Sequence, residues 1–234
     1  MVITYSSRSA PSARLIAEQD ENIALARQQQ GDINWGRALA NTKLNPDISN
    51  VTNKRRMREL FQEHNVPMPE LIEPNYIKLQ EAINKYGTIV GRPDTHMKGR
   101  GFWLCRNMTD VAKALRGTRK KRAATHFMEY VEAPREYRAH IFLGKSIRIS
   151  EKLHTAFHEY TTIRPSHNVN HVREAAKKAI EAVGLDFGAV DILADDDNCW
   201  VLEVNSAPGL GGSMPRVYAE KFNEWFKEES NGRN

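Results

Sequence analysis

The alternation of apolar and polar positions is sharpest toward the C-terminus. There Phe187–Leu193 and Cys199–Asn205 read as two strands around a turn rich in Asp and Asn. In the second strand the period of two sends Trp200, Leu202 and Val204 to one apolar face and Val201, Glu203 and Asn205 to the other. Pro208 and Gly209 then stop the ladder. Helical spacing is clearest just upstream, where Val172, Ala175, Ala176, Ala179, Ile180 and Val183 share a face and Gly184 closes the segment. Further helices are predicted from about Ala13 to Gln29, from Thr52 to a stop at Asn65 and Pro67, over Ile77–Lys85, from a cap at Thr109 or Asp110 to Gly117, and around Val217–Phe226. Strands are predicted at Val2–Tyr5, Asp32–Gly36, Thr88–Arg92, Phe102–Cys105 and His126–Val131, with a hairpin of Tyr137–Leu143 and Ser146–Ser150. Glu151–Asn168 shows no firm period and reads as an irregular loop. The fold class is α/β (α+β).

Composition narrows the partners. With 234 residues there is ample core for one large domain or two small ones. The chain holds 34 Lys and Arg against 29 Asp and Glu, a net +5, which favours anions such as nucleotides without demanding nucleic acid. Cys105 and Cys199 are the only cysteines, a usage that fits a reduced, cytoplasmic protein. The opening residues are too polar for a signal-peptide core, and no run approaches the ~20 apolar residues of a membrane span. The run Arg119-Lys120-Lys121-Arg122 could meet nucleic-acid phosphates, but it lacks interleaved aromatics, and a solvated loop is the plainer reading. His154/His158 and His167/His171 are each four apart without an HExxH pattern, so zinc is not expected.

The late strands carry the candidate chemistry. If Asp191 pairs across the turn with Glu203, then Asp191, Glu203 and Asn205 converge on one face. A turn of three or five residues achieves this, whereas a four-residue turn sets Asp191 against Leu202 and spoils the site. Taken alone, the segment reads equally well as a half-buried strand with a solvated outer face. Two carboxylates and an amide, with no sulfur or imidazole, suit Mg²⁺.

The order DFGAVDIL, a polar turn, then WVLEVNSAPGL resembles the end of the ATP-grasp carboxylate–amine ligases, closest in pattern to the ribosomal-protein glutamate ligase-like members. The similarity extends upstream to Asn53. The resemblance implies two lobes clasping ATP between antiparallel sheets, preceded here by a short N-terminal β-α-β segment. The expected division is a reduced N-terminal segment (1–50), a small lobe with a glycine loop (51–126) and a large lobe with the metal site (127–234). Asp191, Glu203 and Asn205 would ligate two Mg²⁺ ions, with Mn²⁺ able to substitute. Lys54 of the Asn53-Lys54 pair and Arg92, where the family places lysine, would face the phosphates of ATP; an arginine is a planar fork and not a point donor. Lys98, Gly99 and Gly101 resemble the loop that closes over the phosphates. Glu129, Tyr130 and Val131 resemble the linker that reads the adenine edge, and Glu136 the acid that meets the ribose. Arg138, Arg148 and Arg164 are the candidate catalytic residues.

The implied reaction activates a substrate carboxylate as an acyl phosphate and joins it to an amine, releasing ADP and phosphate. Both a small molecule and a peptide or protein are compatible with this reaction as substrate. The segment before Asn53 is shorter than the family's usual preceding domain, which leaves room for a partner subunit of the same chain to complete the site. Ser6, Ser7, Arg8 and Ser9, after the first strand, are candidates to bind a substrate carboxylate. The alternatives are an ATP-binding protein without ligase activity and a nucleic-acid-associated protein.

Overall fold

The fold is that of a computed structural model, which describes residues 1–27, 30–94, 102–154, 158–162 and 169–231. The chain opens with β1 (Val2–Tyr5), α1 (Ala10–Ala17), β2 (Ala24–Ala26) and β3 (Ile33–Trp35), the strands forming a parallel sheet of order β2-β1-β3. The helix expected to reach Gln29 therefore ends at Ala17. Asp20 Oδ1 accepts the backbone N–H of Asn22 at 2.8 Å, a local turn that competes with helix, and the following residues pair with β1 instead.

Two helices follow, α2 (Ser49–Thr52) and α3 (Lys54–Glu63). The Asn53 side chain caps α3 by accepting from the N–H groups of Arg55 and Arg56, and Met57, Leu60 and Phe61 form its buried face. Next come β4 (Leu71–Ile72), α4 (Tyr76–Tyr86), β5 (Ile89–Arg92), β6 (Trp103–Cys105), α5 (Met108–Arg116) and β7 (His126–Glu129). These strands make an antiparallel sheet of order β4-β7-β5-β6. Leu79 and Ile83 of α4 and Val111 and Ala114 of α5 pack on one face of it against Ile89, Cys105 and Phe127. Asn107 caps α5, two or three residues before the expected position, because its side chain accepts the Asp110 N–H at 3.0 Å.

The last unit comprises β8 (Arg135–Phe142), β9 (Lys145–His154), β10 (His158–Thr162), α6 (Asn170–Ala182), β11 (Phe187–Ala194), β12 (Cys199–Asn205) and α7 (Met214–Asn231). Its antiparallel sheet has the order β10-β9-β8-β11-β12. Part of the stretch expected to be irregular is thus strand. β9 runs on to His154 and pairs with β10, an edge ladder held by main-chain bonds with little hydrophobic alternation to announce it. The apolar face of α6 packs on Tyr137, Ala139, Ile141, Val190 and Ile192, and the α3 face joins the same cluster. That packing sets residues 54–63 against the larger sheet, whereas the ladder of β7 with β4 and β5 puts residues 126–129 in the smaller one. The boundary expected at 126/127 therefore runs through β7.

Candidate active site

Each of the two antiparallel sheets buries one face under helices, so alternation assigns the remaining residues to the opposite face. On the smaller sheet these include Val90, Arg92, Leu104, His126 and Met128, since Ile89, Cys105 and Phe127 face α4 and α5. On the larger sheet they include Glu136, Arg138 and His140 of β8, Arg148 and Lys152 of β9, and Asp191 of β11.

Glu203 and Asn205 join that face through an irregularity that simple alternation does not foresee. The turn between β11 and β12 has four residues, Asp195–Asn198, closed by Asp195 Oδ1 accepting the N–H groups of Asp197 and Asn198 at 2.9 and 2.6 Å. Pairing runs Ala194–Cys199 to Ile192–Val201 and then slips, so that Asp191 pairs with Glu203. Leu202 is the extra residue of a β-bulge, and it restores the register that a four-residue turn would have lost. The slip also corrects the expected facing of the strand. Val201 and Val204, three apart, both lie in the α6-facing core at 1 % exposure, and Leu202 does not join them.

Asp191, Glu203 and Asn205 are brought together. Asn205 Nδ2 lies 3.4 Å from Asp191 Oδ2 and 3.3 Å from Glu203 Oε1. Each acid also has a cation: Arg138 donates to Asp191 from Nε at 2.7 Å and Nη2 at 2.9 Å, and Lys54 Nζ donates to Glu203 at 3.1 Å. Burial pushes the Asp191 carboxyl above its usual range despite Arg138, with the nearby charges of Glu203 and Glu136 adding to the rise. Burial pushes Glu203 up as well, but Lys54, Asn205 and Arg92 outweigh it and hold this carboxyl below its usual range. Arg92 lies deep enough that burial lowers its pKa, opposed by Glu203 and Glu136 from the facing sheet, and its buried Nε has no hydrogen-bond partner among the described residues.

Several neighbours carry no obvious sequence signal. Arg58, one turn after Lys54 on α3, is 9 % exposed; it donates from Nη1 to the Lys54 carbonyl and from Nη2 to the His126 ring, with Asp94 3.6 Å away. Burial lowers its pKa to about 10, which still leaves it charged at neutral pH. Lys152 holds both oxygens of Glu136 at 2.7 Å. The i+4 spacing from Lys54 could have indicated Arg58, and a strand continued past Ser150 could have indicated Lys152.

Of the remaining expected residues, Arg148 Nη2 donates to Ser213 Oγ at 3.1 Å, tying β9 to the segment before α7. Glu129 accepts the Glu70 N–H through its side chain at 3.2 Å, the Tyr130 N–H donates to Thr88 O at 3.3 Å, and Val131 lies in the link to β8. Ser6 and Ser9 contact each other through their hydroxyls, and Ser9 Oγ also donates to Trp35 O, while Ser7 and Arg8 are exposed. Lys98, Gly99, Gly101 and Arg164 lie outside the described residues. No described group of three or more His, Cys, Asp or Glu is arranged to hold a metal ion, so a cation here would rest on two carboxylates and an amide. That set fits a hard dication: rotating the Asn205 amide exchanges its NH₂ for its carbonyl oxygen between the two acids.

Residues 51–219 match the RimK-like ATP-grasp domain. The chain belongs to this family. As an ATP-grasp chain it has structural counterparts over nearly its whole length. D-alanine–D-alanine ligase from Bacillus anthracis superposes with a TM-score of 0.68 over 95 % of this chain and 94 % of that one, at 14 % identity. The ATP-grasp ligase PsnB, solved with a minimal precursor, Mg and ADP, gives 0.62 over 92 % and 91 %, at 14 % identity. These likenesses establish the ATP-grasp fold. In sequence the chain is 29 % identical over 176 residues to the tetrahydromethanopterin:alpha-L-glutamate ligase of Methanococcus maripaludis, covering 70 % of this chain. It spans 60 % of the length of that relative.

Proposed function

We propose that this chain is an ADP-forming carboxylate–amine ligase. The observation that carries the reading is the Asp191–Glu203–Asn205 cluster with Lys54 and Arg92 around it, in a chain whose relative and structural counterparts above are named as ligases. A substrate carboxylate oxygen bonds to the γ-phosphorus of ATP as the bond to the bridging oxygen breaks and ADP leaves. The amine nitrogen then bonds to the acyl carbon, phosphate departs with the electron pair of the C–O bond, and the nitrogen loses a proton. Such a sequence needs no side-chain nucleophile; the protein supplies position and fixed charge.

Each residue has a part in this reading. Lys54 and Arg92 meet the phosphates, and Arg148 the transferring phosphoryl group. Arg138 orients Asp191, and Lys152 orients Glu136 toward the ribose. Val90, Leu104 and Met128 offer an apolar surface to the adenine, whose edge the main chain of Glu129–Val131 reads. Asp191, Glu203 and Asn205 would hold Mg²⁺, which when bound offsets charge on the phosphates; two ions, or Mn²⁺ in their place, suit the same oxygens. The two unpaired cysteines suit a reducing cytoplasm, and no helix among the described residues is long and apolar enough to cross a membrane.

The test is incubation with Mg-ATP and pooled amino acids and peptides, following ADP, phosphate and new amide masses. ADP release is expected to need both an acid and an amine. Asp191→Asn and Glu203→Gln are each expected to reduce turnover by about 100-fold or more with an unchanged circular dichroism spectrum. Full activity in both variants, or ADP release indifferent to acid and amine, would sink the reading.

A further inference from the structure

Charge is distributed unevenly along the chain. Residues 102–125 hold seven Lys and Arg against Asp110 alone, a net +6. The other 210 residues hold 27 basic against 28 acidic side chains, a net −1. All of the chain's positive excess therefore sits on β6, α5 and the turn that follows them. Like charges at this density repel one another, and a turn with no use for them would be expected to let them disperse.

The fold instead holds them in place. Thr118 and Lys121 exchange backbone hydrogen bonds at 2.7 and 3.2 Å, and Thr118 Oγ1 accepts the N–H groups of Lys120 and Lys121 at 3.3 and 3.0 Å. Trp103 Nε1 donates to Arg122 O at 2.8 Å, and Lys121 Nζ stands 4.3 Å from the centroid of the same indole. Gly117, at φ +69°, lets the chain fold back on the helix end so closely that a Cβ there would come within 2.6 Å of Ala123 N. Arg119 and Lys120 are left exposed at the tip, continuous with exposed Lys113 and Arg116 of α5, and none of these four makes an ion pair among the described residues.

The position matters as much as the charge. Trp103 ties the turn to β6, the edge strand of the smaller sheet, and its neighbour Phe102 lies 5.5 Å beneath the Arg92 guanidinium of the candidate active site. We propose that the strip from Lys113 to Arg122, on the helix-covered side of the smaller sheet at its β6 edge, is a docking surface for an acidic polypeptide substrate that reaches the cleft round that edge. This rests on the ligase reading, and it gives the class of substrate. A polypeptide suits the strip better than nucleic acid. Phe102 and Trp103 are the only aromatic residues between positions 102 and 125; the Arg92 guanidinium stands over the first, and Lys121 stands over the second, whose N–H is already engaged, so neither gives bases a stacking platform. A polypeptide can also place main-chain groups along the outer edge of β6, which pairs with no further strand among the described residues, and an apolar side chain on exposed Leu115, and it carries the carboxylates and amines that the cleft would join.

The experiment is fluorescence anisotropy with a fluorescein-labelled glutamate-rich peptide and a fluorescein-labelled oligothymidylate of equal formal charge, at low and high salt. The peptide is expected to bind the wild-type chain more tightly than the oligothymidylate, and to be weakened by salt. R119E/K120E is expected to weaken it about tenfold or more, and R119Q/K120Q less, with unchanged thermal melts. Peptide affinity unchanged in R119E/K120E, or tighter binding of the oligothymidylate, overturns the proposal. ADP release with free amino acids is measured on the same proteins. Peptide binding as expected in a chain that forms no amide keeps the docking surface and removes the ligase reading. Amide formation with no peptide binding does the reverse.

Discussion

At the scale of single residues, burial and partner choice set the behaviour of the site. His140 is 3 % exposed, with Nδ1 3.0 Å from the hydroxyl of Tyr218; burial, helped by Arg138 and Arg148, pushes its pKa down to about 3. An unfolded histidine titrates near 6.5, so between those values the unfolded chain binds the extra proton. The stability contributed by neutral His140 is therefore complete above pH ~6.5 and is lost as pH falls, by up to about 1.4 kcal/mol per pH unit. Urea unfolding of His140→Gln at pH 7 and pH 5 should show a smaller loss than the wild type over the same interval. Arg138 and Asp191 make a second case. Arg138→Met leaves a buried carboxylate without its cation and should cost about 3–5 kcal/mol. Adding Asp191→Asn should recover part of that loss in a double-mutant cycle, and failure to recover any would argue against the pairing. Lys54, Asp191 and Glu203 could be singled out from the sequence, but that Arg138 grips Asp191 could not, because the two meet only when β8 and β11 pair.

At the scale of elements, most helices follow from local rules, and the decisive strand feature does not. Spacing, Asn53 and Gly184 define α3 and α6 within a residue or two. The bulge at Leu202 is different. It reflects a compromise between a well-bonded four-residue turn and a core that takes both Val201 and Val204, and neither demand is visible in alternation alone. Deleting Leu202 should force a choice between breaking the turn and turning Glu203 toward the apolar core. A loss of more than about 3 kcal/mol is expected in thermal or urea melts. Leu202→Ala keeps the backbone count and should cost only about 1 kcal/mol. Equal effects of the two changes would mean that the extra residue is not what sets the register.

At the scale of the whole molecule, the N-terminal sheet shares a core with the larger antiparallel sheet and α7. Trp35 stacks on Phe187 at 5.6 Å and meets Tyr218 edge-on at 5.0 Å. Asn45 donates to Phe187 O and accepts from the N–H of Asp186 and of Phe187. Phe187 thus sits between β3, β8 and α7, and Phe187→Ala should cost about 3–5 kcal/mol. Hydrogen exchange should quicken together in β1, β8 and β11. The core under α4 and α5 is a separate cluster, so exchange in β5 and β7 should change much less. Uniform quickening through all three sheets would contradict that division.

The amino-acid order by itself determined the helices with strong apolar stripes, the late pair of strands, the acid and amide positions on them, and the family resemblance that those motifs carry. These are effects of short range: side-chain period, caps and turn residues act within a few positions of the chain. Only the tertiary structure decided the length of α1, the strand character of β9 and β10, the bulge at Leu202, and the partners Arg138, Lys152 and Arg58. Each of these depends on which distant segment wins a hydrogen bond or a place in the core, and that competition is settled by packing among elements far apart in sequence.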